Sequence, residues 1–216
     1  MLMSKERLLI SALILCSVGL AHVTVVAQQR GAQPQPRVLK RQPSTFMPDR
    51  SLGERLQTVD AVVTARVLSR VGVRMVDLRD GIVRRNPEGV VPLESIPAPF
   101  TEYDVTVTEV FKAHPAVGFG TRPRIAHSGG VGQANGVTID EETHVPQLIE
   151  GREYLFLLNF SHDVNEMQFS EYDVFDISQA KVVANARLRE KRFGQELEGL
   201  STQQALQNIR ILLEKP

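Results

Sequence analysis

From Ala61 onward the chain alternates. Val63, Ala65 and Val67 fall on one side of a period-two pattern, Thr64, Arg66 and Leu68 on the other, and β-branched residues continue through Val71, Val73 and Val76. Successive side chains of an extended chain point to opposite faces, so this stretch reads as one long strand with a buried face. A strand of that length leaves backbone groups unpaired unless neighbours run beside it, and the chain is therefore committed to a sheet. Gly72 marks a bulge or bend within it. Asp80 and Gly81, between 73–78 and 82–85, predict a two-residue hairpin turn, because glycine accepts positive φ. Residues 86–99 carry four prolines and read as loop.

Further strands follow. Tyr103, Val105 and Val107 alternate with Asp104, Thr106 and Thr108, and the pattern slips at Val110 and Phe111, which places a bulge near Glu109. Residues 122–127 form a weaker strand that runs into Ser128, Gly129, Gly130 and a glycine-rich loop reaching Gly136. Residues 154–160 are apolar at nearly every position, as a strand covered on both faces requires. Residues 172–177 and 182–184 predict a closing hairpin. Ser51 with Glu54, and Ser201 with Gln204, have the spacing of capping boxes. The first predicts a helix of two turns at most, ending near Thr58. The second precedes Ala205, Leu206, Ile209, Leu212 and Leu213, an apolar stripe that predicts a terminal helix packed on the sheet. Five principal strands in this order suit a mainly β fold, a five-stranded, partly open barrel of the OB type with a C-terminal α-helix.

The N-terminus sets the compartment. Lys5 and Arg7 precede an apolar run from Leu8 to Leu20, the order of a signal peptide, and the run is too short for a ~30 Å bilayer core. Val25 and Ala27 are small residues placed for cleavage after Ala27. A lipoprotein reading of Cys16 wants a small residue before it and finds Leu15. The organisation expected is a signal peptide over 1–27, a flexible Pro/Gln-rich linker over 28–50 and a barrel domain over 51–216, with a periplasmic or secreted location. Cys16 is the chain's one cysteine, so the mature protein would hold neither disulfide nor thiol. Lys plus Arg and Asp plus Glu both number 25, a balance that gives nucleic acid or an anionic membrane no general hold. No other apolar run approaches a membrane span.

Several short patterns are shared with known domains. Asp60, Ala61, Val62 and Val63 stand at the first strand, and Val107, Glu109, Val110, Phe111 and Lys112 in the second. Gly129 and Gly130 follow, then Gly151, Tyr154, Leu155, Phe156, Leu157 and Leu158. In these residues the chain resembles a group of bacterial exported domains to which no activity is assigned. The resemblance covers about 51–184. It implies an OB-like fold similar to netrin-like modules and tissue inhibitors of metalloproteinases. Those proteins begin with a cysteine-containing inhibitory segment, which a mature chain without cysteine does not supply.

The residues that could carry chemistry are scattered. His114, His127, His144 and His162 lack the spacing of a zinc motif, although His127, His144 and His162 could converge with Asp163 from separate loops. Ser128 lies beside His127 and Gly129, but neighbours on a strand face opposite ways, so turn chemistry accounts for it better than a nucleophile does. Gly129, Gly130, Gly132 and Gly136 suit a chain leaving a strand and crossing a barrel end. Asp140, Glu141 and Glu142 lack the alternate spacing of a calcium loop and read as a solvated acidic run. Lys181, Arg187, Arg189, Lys191 and Arg192 form a basic stretch with Phe193 as its nearby aromatic, and read as a solvated connection rather than an oligomer-binding groove. These readings assign no catalytic, cofactor or metal residue. The expected function is a non-catalytic exported binding module that recognises an extracellular protein or envelope polysaccharide. The alternatives are a metal-dependent hydrolase using loop histidines and a cysteine-free protease inhibitor.

Overall fold

A computed structural model describes residues 37–41, 47–77, 85–86, 89–90, 97–113, 119, 123–162 and 165–214. The signal peptide, the Asp80–Gly81 turn, His114 and Asp163 lie outside the described residues. The strands are β1 (Arg37–Arg41), β2 (Ala61–Val76), β3 (Arg85–Asn86), β4 (Gly89–Val90), β5 (Ala98–Lys112) and β6 (Arg124–Ser128). They continue with β7 (Gly130–Ala134), β8 (Val137–Glu141), β9 (Glu153–Ser161), β10 (Glu166–Gln168), β11 (Val174–Asp176) and β12 (Val183–Ala184). The helices are α1 (Leu52–Thr58), α2 (Ala186–Arg189), α3 (Arg192–Leu197) and α4 (Thr202–Leu213). The chain is mainly β, with a seven-stranded sheet and a C-terminal helix.

The main sheet runs β10-β6-β5-β2-β9-β11-β12, and β10 also pairs with β9. Its backbone is the antiparallel pair of β2 and β5. Register shifts fall between Thr64 and Ala65, opposite Glu109 and Val107, and between Arg70 and Gly72, so both expected irregularities are present. β10 lies parallel to β6 and antiparallel to β9. The hairpin of β11 and β12 is found as expected, but it flanks the far side of β9. The strand that links β6 to β9 is instead Glu166–Gln168, which at three residues is too short to show a period.

Burial follows the alternation. Along β9, Tyr154, Phe156 and Leu158 join Ala61, Val63, Ala65 and Val67 of β2, Tyr103 and Val105 of β5, and Met167 and Phe169 in one core. Leu155 and Leu157 point the other way, into a second core under the helices with Val62, Leu52, Leu56, Phe193, Leu197, Ala205 and Ile209. Both faces of β9 are thus covered, which is why its sequence shows no polar side. The capping boxes of Ser51 with Glu54 and of Ser201 with Gln204 are both formed. At the other end of α1, the Lys112 ammonium donates to the carbonyls of Leu56 (2.9 Å), Gln57 (3.2 Å) and Val59, the position where a cation meets the negative end of a helix dipole. The Asp60 carboxylate accepts from the Phe160 amide at 2.8 Å and ties the start of β2 to β9.

Three expectations change. The glycine-rich loop after Ser128 is a hairpin, β7 with β8, turned by Asn135 (φ 50) and Gly136 (φ 74). Both central residues have positive φ, as a type I′ turn demands, and Asn-Gly is the pair that tolerates it best. Gly130 and Gly132 allow close approach: a Cβ would stand 2.8 Å from Thr101 Oγ1 at the first and 2.1 Å from Met75 Sδ at the second. The proline-bearing stretch 86–99 contributes Gly89–Val90 to a short ladder and Pro99 to β5, where Pro99 sits in the second residue of the strand. Within 28–50, Arg37–Arg41 forms a strand beside β8 in the order β1-β8-β7. Residues 47–50 of the same segment are also tied down: Lys191 Nζ donates to Met47 O (2.7 Å), Arg192 N to Asp49 (2.8 Å) and Phe193 N to Arg50 O (3.1 Å).

Candidate binding face

The most developed polar site is built by the far side of β5. Tyr103 and Val105 enter the core, so Glu102 and Asp104 must face away from it. β6 sets Arg124 opposite Asp104 and Ala126 opposite Glu102. β10 turns Met167 inward, which leaves Glu166 and Gln168 on the outer side beside β6. Past Gly72, which pairs with Glu102, β2 carries Arg74 to the same place.

Glu102 is buried, and each of its oxygens is held by a different arginine. Arg74 Nε donates to one and Arg124 Nη1 to the other at 3.3 Å. Arg74 also pairs with Glu166 at 3.1 Å, and Arg124 with Asp104 at 3.2 Å. The guanidinium groups remain about two-fifths exposed, with side chains at 41% and 42%. Burial, and then the neighbouring charge of Glu102, raise the Glu166 carboxyl above its ordinary range, against the pull of Arg74. Gln168 Nε2 is buried with no hydrogen-bond partner among the described residues. Val76, Ala98, Phe100 and Ala126 form a small apolar cluster next to these groups. The result is a preset array of donors and acceptors, rigid because it is anchored on three strands.

No protein-family model matches the chain, and no curated protein matches it. Function has to be read from the site itself.

The residues singled out in the sequence do not gather at this face or elsewhere. His127 is buried against Tyr103 (ring centroids 6.0 Å) and edge-on to Phe169 (5.3 Å). Ser128 is exposed beside it, in keeping with strand alternation. His144 is exposed, and His162 is exposed with its ring perpendicular to Phe160 at 5.0 Å. Among the described residues no group of three or more His, Cys, Asp or Glu side chains is placed to hold a metal ion. Asp140 and Glu141 belong to β8 rather than a loop, and Glu142 follows it. The basic stretch is largely balanced by acids: Arg187 faces Glu190, Arg189 faces Glu198 at 3.1 Å and Arg192 faces Glu196 at 3.2 Å. Lys191 lies over the Tyr172 ring, and Phe193 is fully buried in the helical core. Glu102, Arg74, Arg124 and Glu166 drew no attention in the sequence. The alternation of Glu102 and Asp104 with Tyr103 and Val105 did mark an outer face, but 28 residues separate Arg74 from Glu102, and only the bent β2–β5 pair closes that distance.

His127 makes the core sensitive to acid. Its Nδ1 donates to the Ser128 carbonyl at 2.8 Å, which assigns the neutral tautomer. Burial holds its pKa below the ordinary 6.5, with Arg70 adding to the effect and the Ser128 carbonyl and Glu171 opposing it. The unfolded chain takes up this proton near pH 6.5 and the folded chain only lower, so the contribution is intact above pH 6.5 and is lost as pH falls below it. The expected loss is up to about 1.4 kcal/mol per pH unit over that interval. Urea unfolding at stepped pH should show it. A His127→Phe variant should show a flatter profile, and an unchanged profile would assign the acid sensitivity to other groups.

Proposed function

We propose that the protein is a non-catalytic exported binding module, built as an OB-like barrel, that lays an extracellular protein segment or an envelope polysaccharide across the outer face of β5, β6 and β10. Support for the barrel reading comes from the pairing sequence β2-β5-β6-β10-β9-β2, in which each strand has two neighbours in a ring. In an OB barrel the face of the second and third strands, with the adjoining loops, receives the ligand. Here those strands are β5 and β6. The observation that carries the reading is that the buried Glu102, with its two half-exposed arginines, lies on that face. The exposed guanidinium edges offer planar, fixed donors, and the lone Gln168 amide offers one more that gains by meeting a ligand oxygen. Two cations against Glu102, Asp104 and Glu166 leave the face with little net charge, which suits hydroxyl- and amide-rich ligands better than a polyanion.

The test is co-sedimentation of the mature protein with purified envelope polysaccharide, together with cross-linking to exported proteins. Arg74→Ala combined with Arg124→Ala is expected to weaken the interaction about tenfold or more, since each charge-assisted bond contributes roughly 1.5–3 kcal/mol. Retained binding by the double variant would move the site off this face. Product formation from the polysaccharide, lost on changing His144 or His162, would favour the hydrolase alternative.

A further inference from the structure

A second surface lies at the outer edge of β8. The hairpin of β7 and β8 lies against β2 and β5 through its glycines, with Gly132 over Met75 and Gly130 over Val73 and Thr101, so its position is fixed from one side. The other edge of β8 is a row of backbone donors and acceptors, and β1 occupies it. The occupant is weakly invested in the fold. Its described side chains are all exposed, with Val38 at 54% and Leu39 at 36%, so backbone hydrogen bonds are its main attachment. It is also matched in charge. The strand reads Arg-Val-Leu-Lys-Arg, and the edge it pairs with contains Asp140 and Glu141, followed by the exposed Glu142.

From this we infer that the outer edge of β8 is a strand-acceptor site for extended, basic peptide segments of partner proteins, with the chain's own Arg37–Arg41 as a resident occupant that a partner displaces. Main-chain pairing supplies the attachment, as in other cases of strand addition, and the acidic residues select for Lys and Arg. Because the resident strand must leave first, the apparent affinity of the intact protein is lowered by the fraction of time the edge is open.

A fluorescein-labelled peptide of residues 35–42 serves as the probe, measured by anisotropy against the mature protein and against a Val38→Pro, Leu39→Pro variant of the full mature chain. Consecutive prolines remove donors facing either way along β1, and the exposed side chains leave the core untouched. The variant should bind the probe about tenfold or more tightly than the unmodified protein does. Adding Asp140→Lys and Glu142→Lys should reverse that gain, as should salt of about 0.5 M. Equal binding by the charge-reversed form, or none by the proline variant, would overturn the inference. The unmodified protein gives an independent reading by hydrogen exchange. Excess probe should speed exchange at the amides of 37–41 while 137–141 stay protected, and no change at 37–41 would count against displacement.

Discussion

Ile209→Asp is expected to abolish a stable folded domain, and truncation after Gly199 to give an aggregating product. Ile209 is fully buried, as is Ala205, in the core that α4 shares with Leu52, Leu56, Leu155 and Leu157. Removing a buried aliphatic side chain costs about 2–5 kcal/mol, and an unpaired carboxylate in the same place adds a desolvation penalty. Together these rival the ~5–15 kcal/mol that holds a whole domain. Leu206, Leu212 and Leu213 are only partly buried, so Leu206→Asp should be the milder change. Circular dichroism melts of the three forms decide the matter. A truncated chain with an unchanged midpoint would mean that α4 is not part of the core.

Asp173→Ala should cost about 3–5 kcal/mol, the usual penalty for stranding one member of a buried ion pair. Asp173 and Arg55 are both buried and bonded to each other, joining the start of β11 to α1. The second oxygen of Asp173 accepts from the Ser170 amide (3.1 Å) and hydroxyl (2.6 Å), so the carboxylate is well satisfied. Arg55 is less so. Its Nη1 reaches Thr58 Oγ1 only at 3.4 Å and its Nε has no hydrogen-bond partner. Exchanging both partners for apolar residues, Arg55→Met with Asp173→Leu, should therefore be far less damaging than the single change, and may be compared directly by chemical denaturation. If the double variant is as unstable as the single one, the pair matters for its shape and hydrogen bonds rather than for charge balance.

What the sequence disclosed depended on how local the cause was. Capping boxes span three residues, and both helix starts were legible from Ser51 and Ser201. Periodicity gave β2, β5 and the doubly buried β9, and the slip at Val110 gave the bulge, because each is a property of consecutive side chains. Asn135-Gly136 was an equally local turn signal, masked by the surrounding glycines, which suggested a loop. β10 was illegible because three residues that pair on both sides owe their conformation to neighbours far along the chain. The polar face has the same origin. Nothing near Glu102 announces that Arg74 and Glu166 will reach it, and the titratable residues that stood out in the sequence, His127 above all, proved to serve packing.

β5 links two regions that the rest of the chain keeps apart. Glu102 anchors the polar face near one end, and Lys112 caps α1 at the other, with Glu109 paired to Arg210 of α4 at 2.6 Å close by. Ten residues of extended chain separate the two anchors by about 30 Å, well beyond the distance at which substitutions couple energetically. Changes at Arg74, Arg124 and Glu166 should then leave the melting of the helical layer nearly untouched, and double variants across the two ends should be additive. A strand arranged this way lets selection rewrite what the face recognises without renegotiating whether the domain folds.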